Sequence, residues 1–338
     1  MLSLTLEVTN LCNRNCLHCF RDKAEPREFL PLDLAEAILT QARALRIREV
    51  CITGGEPATY PHLEELVGLV ADLGFKFNLV TNGFQFAQAL LPLLSRPRIK
   101  PKLDVVCFSL DGARAETHDA LRGPGSFKEV VEAVSLCKLA GIPRSLKSVI
   151  TNFNKEELTE LALLGAAMGL TEHGFIFQFP TPRAVRAGVI PPPEEQNRIV
   201  EWILGSLALT VKGQIVAEGY TGGDIIFSCC TFQGNMTVDH QGHLIYCCNI
   251  SHVVDEDGVP SRLGRELLAD LREVSLKEGV ARHFQTTADL VNARLADMDS
   301  LAGMTHNLCY WCMKYFNKLD WLKGLPDSPW AVGVFPGG

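Results

Sequence analysis

The stretch CNRNCLHCF, residues 12–20, follows directly on a segment that reads as the first β-strand, Leu4–Thr9. Cys12, Cys16 and Cys19 are spaced Cx3Cx2C, and no fourth cysteine lies near them. A structural zinc site closes with four ligands, and three thiolates from one loop do not supply them. Three thiolates can instead hold three corners of a cubane iron–sulfur cluster and leave one iron open. His18, inside the same loop, could complete a Cys3His zinc knuckle, so zinc stands beside iron–sulfur as a reading of the loop alone.

Outward from that loop, strand and helix signals alternate. Strand-like runs cover Leu4–Thr9, Val50–Thr53, Lys76–Thr81, Val105–Leu110, Ser145–Thr151 and Gly174–Phe179. Helical periodicity fills Leu32–Leu45, His62–Leu73, Ala87–Leu94, Phe127–Ala140 and Lys155–Met168. Gly74, Gly141 and Gly169 stand where helices stop, which suits a left-handed C′ residue. Repeated βα units imply a parallel sheet. Six strands are too few for a complete eight-stranded barrel, so a partial barrel or a doubly wound sheet is expected.

Composition sets the class. The chain has 338 residues, 47% hydrophobic and 21% charged, ordinary for a globular protein with a large core. Its formal charge of −7 argues against charge-driven nucleic-acid binding. The start, MLSLTLEVTN, has no basic n-region, and no apolar run reaches the length of a membrane span. A cytoplasmic protein with no membrane or nucleic-acid partner is the expectation. There, twelve cysteines point to metal rather than to disulfides. Cys51, Cys107 and Cys137 stand alone in apolar segments and read as small buried hydrophobes.

After residue 180 the texture changes. FPTPRAVRAGVIPPPEEQ is proline-rich and reads as a linker leading to a helix near Glu194. Beyond Gly213 come short β segments, among them MTVDHQGHLIYCC, a hairpin turning at Gln241-Gly242. The HQGH within it reads as that turn and not as a metal site. A long helix is expected over roughly 264–300, followed by CYWC. Three parts follow: a core over 1–180, a linker with a helix over 181–212, and a cysteine-bearing α+β unit over 213–338. In that last unit Cys229, Cys247, Cys309 and Cys312 make a four-thiolate set, enough for one zinc or one fully ligated 4Fe–4S cluster. Cys230 and Cys248 are the alternates, since neighbouring strand residues point opposite ways.

Two further motifs sit at strand ends, GGEP at Gly54–Pro57 and SLDG at Ser109–Gly112. Glycines there would let backbone come close to a ligand. Together with Cx3Cx2C after the first strand, these motifs resemble the radical S-adenosylmethionine (SAM) superfamily over roughly residues 1–180. The resemblance implies a partial (βα)6 TIM-like barrel in which Cys12, Cys16 and Cys19 hold a 4Fe–4S cluster whose open iron is chelated by SAM. It implies that Gly54, Gly55, Glu56 and Pro57 line the methionine amino group. It places Ser109, Asp111 and Arg122 toward the carboxylate or ribose, Asn152 near the adenine or ribose, and His18 and Phe20 in the loop against the cofactor. One electron from the cluster then cleaves SAM to methionine and a 5′-deoxyadenosyl radical, which abstracts a hydrogen from substrate.

The downstream pattern, Cys229-x12-Gly242-x4-Cys247 followed by a single CxxC, resembles the SPASM/twitch domains of that superfamily in their shortened, one-cluster form. It implies a second, auxiliary 4Fe–4S cluster that accepts an electron and completes an oxidation, a dehydrogenation or a cross-link. A redox-neutral epimerisation or rearrangement is the first alternative. A non-catalytic zinc protein is the second. The implied partners are a small-molecule or peptide substrate and a flavodoxin- or ferredoxin-type electron donor. Because the barrel begins near residue 4, with no preceding peptide-recognition segment in the sequence, a small molecule or a separately delivered peptide is slightly favoured.

Overall fold

The computed structural model describes residues 2–19, 26–177, 179–211, 214–219, 229, 231–251, 264–298 and 308–334. Phe20 and Cys230 lie outside these described residues. Seven parallel strands follow one another across the sheet: β1 Ser3–Glu7, β2 Glu49–Thr53, β3 Lys76–Thr81, β4 Leu103–Ser109, β5 Arg144–Ile150, β6 Glu172–Phe177 and β7 Gln214–Ala217. A doubly wound sheet reverses its order at a switch point. Here the order runs from β1 to β7 without reversal, so the chain winds one way and the sheet is of the partial-barrel kind.

The strands alternate sharply between two environments. Leu4, Leu6, Val50, Ile52, Phe77, Leu79, Val106, Phe108, Leu146 and Phe175 are at most 1% exposed and join one apolar core with the helices. The helices that cover this face are α1 Leu32–Ala44, α2 Leu63–Asp72, α3 Leu91–Leu94, α5 Ser126–Leu139 and α6 Leu158–Met168, while α4 Ala115–Arg122 packs on α5. The other parity faces the lumen and is largely polar: Thr5, Glu7, Cys51, Thr53, Asn78, Cys107, Ser109, Ser145 and Lys147. Cys107 and Cys137 are buried as expected, whereas Cys51 is half-buried on the lumen face because its strand parity puts it there. Gly74, Gly141 and Gly169 end their helices at φ +82°, +63° and +68°, as the stop signals predict.

After β6 come α7 Pro182–Arg186, capped by the Thr181 hydroxyl, which accepts from Ala184 N, and then α8 Pro193–Trp202. Three more strands extend the same sheet on the far side of β1. They are β8 Asn235–Val238, parallel to β1, then β9 His243–Ile245 and β10 Leu267–Asp270, both antiparallel to their neighbours. The hairpin turns at Asp239–Gly242, where the Asp239 carboxylate accepts from the backbone of Gln241 and His243 and Gly242 sits at φ +86°. HQGH is therefore a turn.

The helix expected over 264–300 is shorter. Residues 267–270 form β10, and the helix runs Leu276–Ala296. Ser275 sets its start by accepting from Glu278 N, half of a Ser-x-x-Glu capping box that the sequence carries. The helix α4 is also absent from the sequence reading, because its polar run AETHDALR has only Leu121 and His118 to bury.

Candidate active site

The loop bearing Cys12, Cys16 and Cys19 leaves the carboxyl end of β1 and is fixed by backbone. Leu17 N donates to Leu121 O at 2.9 Å and Cys19 N to Cys16 O at 3.2 Å. Arg14 N points at Cys12 Sγ, 3.4 Å away. Cys16 is 7% exposed, and Cys12 and Cys19 are half-buried. Burial pushes the Cys16 thiol up, Arg122 pulls it back, and Cys19, Asp111 and Cys12 push it up again, so the three sulfurs and the Arg122–Asp111 pair share one electrostatic neighbourhood.

The GGEP glycines lie against the backbone that leads into the cysteine loop. Gly55 N donates to Thr9 O at 2.6 Å, and Glu56 N to Leu11 O at 2.8 Å. A Cβ on Gly54 would meet Thr9 O at 2.6 Å, and one on Gly55 would meet Leu11 O at 2.0 Å. Both missing side chains are thus filled by the backbone that leads into the cysteine loop. Gly55→Ala is expected to push that backbone away. The outcome is a loss of at least about 2 kcal/mol of stability and a fall in bound iron, read by thermal melting and iron analysis of anaerobic protein.

Glu56 is 1% exposed. Its Oε1 accepts from Thr81 Oγ1 at 2.7 Å and from Ala58 N at 3.2 Å, and its Oε2 from Asn82 N at 2.7 Å. Burial raises the carboxyl to about 7 against the opposing pull of those hydrogen bonds. Asn82 then turns its side chain to the loop, donating to Asn13 Oδ1 at 2.9 Å and standing 3.7 Å from Cys12 Sγ. The sequence reading passed over Thr81 and Asn82. Their signal is the polar TNG at the end of β3, the same strand end at which the other motifs were found.

Asp111 has an internal role. Expected to face a ligand's carboxylate or ribose, it is instead fully buried and its oxygens are taken. Oδ1 accepts from Val149 N at 2.8 Å, while Oδ2 meets Arg122 Nε in a very short contact and His18 Nε2 at 3.2 Å. Its backbone is held too, the N–H by His118 Nδ1 and the carbonyl by Asn154 Nδ2. Burial lifts the carboxyl, but Arg122 and His18 outweigh it and hold it at about 2. Burial keeps His18 down at about 4, hence neutral, so Nε2–H donates to Asp111. Among the described residues His18 Nδ1 is buried with no hydrogen-bond partner.

Ser109 is half-buried on the lumen face, in register with Lys147. Pro57 is buried in a single turn that continues GGEP. Asn152 is exposed, and its side chain donates to Gly188 O at 2.9 Å, tying the end of β5 to the loop after α7. Deeper in the lumen Lys147 Nζ lies 2.9 Å and 3.0 Å from the two Glu218 oxygens, both side chains about one-third exposed. Gly174 makes room for the pair, since a Cβ there would stand 2.8 Å from Glu218 Oε1.

The second cysteine group stands at the other end of the sheet. β8 runs beside β1 with Ser3 opposite Asn235, so Cys229, which precedes β8, belongs to the amino end of the strands. β9 returns antiparallel, with Ile245 opposite Thr237, and delivers Cys247 and Cys248 to that same end. The helix Leu308–Tyr315 brings in Cys309 and Cys312. Burial raises Cys309, with Cys312, Cys229 and Cys248 adding to it and Arg294 opposing. Tyr246 feels Cys312, Cys229 and Cys247. All four expected sulfurs and the alternate Cys248 therefore lie in one region. Tyr310 and Trp311 of CYWC are 5% and 3% exposed, packed around it.

The donor sets fit iron–sulfur clusters. Each group is made of thiols alone, and a raised thiol is what a buried sulfur shows before a bound cation removes its proton. The bare His18 Nδ1 is an acceptor that an amino or hydroxyl group of SAM would satisfy.

Over 230 residues the chain is 32% identical to mycofactocin maturase MftC of Mycolicibacterium smegmatis, covering 64% of this chain and 54% of that one. It is 29% identical over 199 residues to an AdoMet-dependent heme synthase of Methanosarcina barkeri, 58% of this chain and 56% of the other. A PqqA peptide cyclase of Methylobacterium is 31% identical over 226 residues, 64% of this chain and 57% of the other. The chain thus spans about half the length of these relatives. In fold it resembles native anSMEcpe with bound AdoMet and the Kp18Cys peptide, at TM-score 0.69 and 14% identity over 96% of this chain and 97% of that one. It also resembles Streptococcus suis SuiB bound to S-adenosylmethionine, at TM-score 0.62 and 18% identity over 73% and 60% of the two chains. No helix of the described residues is long and apolar enough to cross a membrane. The Radical SAM superfamily model matches residues 6–164, the span from β1 through α6 that carries the three-cysteine loop, GGEP and SLDG, and over that span the chain carries a radical SAM domain.

Proposed function

We propose that this chain is a radical SAM enzyme that oxidises a ribosomally made peptide, with an auxiliary 4Fe–4S cluster as electron acceptor. The observation that carries the proposal is the disposition of sulfur: one thiol trio at the carboxyl end of a polar lumen and a second thiol group at its amino end. The peptide is favoured by the relatives named for peptide cyclisation and mycofactocin maturation. A flavodoxin- or ferredoxin-type protein is the proposed electron donor.

Cys12, Cys16 and Cys19 would hold the first cluster, and Cys229, Cys247, Cys309 and Cys312 the second, with Cys230 and Cys248 as alternates. When bound, the first cluster and SAM together supply a carbon-centred oxidant strong enough to take hydrogen from an unactivated carbon. The chain does the rest. Asp111 pairs with Arg122, whose fixed positive charge acts on Cys16 of the cysteine loop. Asn82 steadies Cys12 from the end of β3. Glu56 offers a carboxylate oxygen to the SAM amino group, and His18 Nδ1 accepts from another donor of the same molecule. The apolar shell behind the sheet keeps the lumen rigid, and the lumen holds the reacting residue of the substrate.

Glu56 makes SAM binding depend on pH. With its carboxyl at about 7, Glu56 is mostly neutral at pH 6 and mostly ionised at pH 8. If the ionised form is the one that takes the amino group, apparent affinity should rise about tenfold between those values, because affinity scales with the competent fraction. Glu56→Gln should flatten the profile, as read by calorimetric titration of SAM into anaerobic protein. A profile in the variant as steep as in the parent would remove Glu56 from the SAM contacts.

The decisive experiment is anaerobic incubation with SAM, dithionite and a short peptide encoded beside this chain. Formation of 5′-deoxyadenosine together with a peptide lighter by two hydrogens supports the proposal. 5′-Deoxyadenosine with a peptide of unchanged mass points to redox-neutral chemistry, and zinc without iron at both thiol groups overturns the enzyme.

A further inference from the structure

Arg294, on the helix Leu276–Ala296, is 1% exposed. Its guanidinium carbon lies 4.5 Å from the Phe232 ring centroid and 5.6 Å from that of Trp311. Its Nη2 donates to Cys312 Sγ at 3.2 Å. Burying a guanidinium costs free energy unless other groups compensate it. The two ring faces offset part of that cost through cation–π attraction. The sulfur adds to this once it is a thiolate, which is the form a bound cluster requires. Trp311 is itself fixed, donating from Nε1 to Asp297 Oδ2 at 2.9 Å and stacking on Tyr315 with centroids 5.4 Å apart. The guanidinium thus lies in a made socket, aimed at one cysteine of CYWC. The same charge opposes the burial that raises Cys309 and Cys312.

Cluster potentials depend on net charge, on hydrogen bonds to the sulfurs and on exposure to solvent. A positive charge donating to a ligand sulfur stabilises the more negative, reduced state. We propose that Arg294 is a positioning residue for electron transfer, which raises the potential of the auxiliary cluster through its hydrogen bond to Cys312 and so makes that cluster the better acceptor. The inference rests on the reading that the C-terminal thiols hold an iron–sulfur cluster.

The test is a redox titration of the anaerobically reconstituted full chain, followed by electron paramagnetic resonance, in the parent and in Arg294→Met, Arg294→Lys and Phe232→Leu. In Arg294→Met the auxiliary cluster should become about tenfold harder to reduce at a given potential, a fall of about 59 mV for one electron. The SAM-binding cluster at the far end of the lumen should not move. Arg294→Lys keeps the charge but not the planar fork, and should recover part of the fall. Phe232→Leu, which frees one face of the guanidinium, should lower the potential in the same direction by a smaller factor. An unchanged auxiliary potential in Arg294→Met with full iron content overturns the inference. Should that variant lose its iron, unchanged potentials in Arg294→Lys and Phe232→Leu overturn it equally. A parent chain that binds only about four irons, or zinc in place of the second cluster, overturns the auxiliary-cluster reading and Arg294's role together, and iron and zinc analysis identifies that case before any titration.

Discussion

Serine in place of Cys16 is expected to abolish SAM cleavage, with 5′-deoxyadenosine formation falling at least a thousandfold and bound iron dropping by about four per chain. Cys16 is the most buried of the three loop sulfurs and the one nearest the Arg122–Asp111 pair in charge. A cubane held by two thiolates has lost a third of its anchorage, and a neutral hydroxyl does not replace a thiolate on iron. The loop itself should survive, because Leu17 N is bonded to Leu121 O and the Thr9–Leu11 backbone leading into the loop is held by Gly55 N and Glu56 N. Circular dichroism and melting temperature close to the parent's, with iron halved and no 5′-deoxyadenosine, is therefore the expected set. Full activity in Cys16→Ser would remove the foundation of the proposed chemistry.

The skeleton of this protein was legible because its signals are local. Period-two strands, period-3.6 helices and glycine stops each act over a few residues, and β1 to β6 appear within a few residues of where those signals put them. Whether the sheet was doubly wound or a barrel was not legible, since strand order is a property of pairings distant in sequence. The same distinction governs the site. Cys12, Cys16 and Cys19 declare themselves by spacing alone. That Gly54 and Gly55 serve the neighbouring backbone, and that Asp111 is spent on Arg122 and His18, depends on which strand end lies beside which. Asn82 was missed because Asn-Gly after a strand reads as a turn. Its contact with Cys12 exists only because β3 lies two places from β1 in the sheet. The boundary of β10 was missed because Leu267, Leu268 and Leu271 satisfy a helical spacing as well as an extended one, and pairing with β9 decides between them.

Breaking the Asp111–Arg122 pair from either side is expected to cost more stability than any other single change at the site. Asp111→Ala leaves Arg122, 11% exposed in its side chain, as a buried cation without its partner. It also strips acceptors from His18 and Val149. Breaking one side of a buried pair costs about 3–5 kcal/mol. Arg122→Met should cost a similar amount by leaving the carboxylate alone. The double variant Asp111→Ala/Arg122→Met should fall short of the sum by about 1–3 kcal/mol, because the second change removes the charge that the first stranded. The pH dependence has a definite sign. Asp111 is held at about 2, below its ordinary 3.8, so its contribution is complete above pH 4 and disappears as pH falls toward 2. Denaturation curves for parent and Asp111→Ala should therefore lie well apart at pH 7 and draw together in acid. The readout separates two accounts of Arg122. If the pair is merely structural, cluster binding should follow stability across the three variants. If Arg122 supplies charge to the cysteine loop, as its pull on Cys16 indicates, the two variants lacking Arg122 should bind iron more weakly than Asp111→Ala does at matched stability.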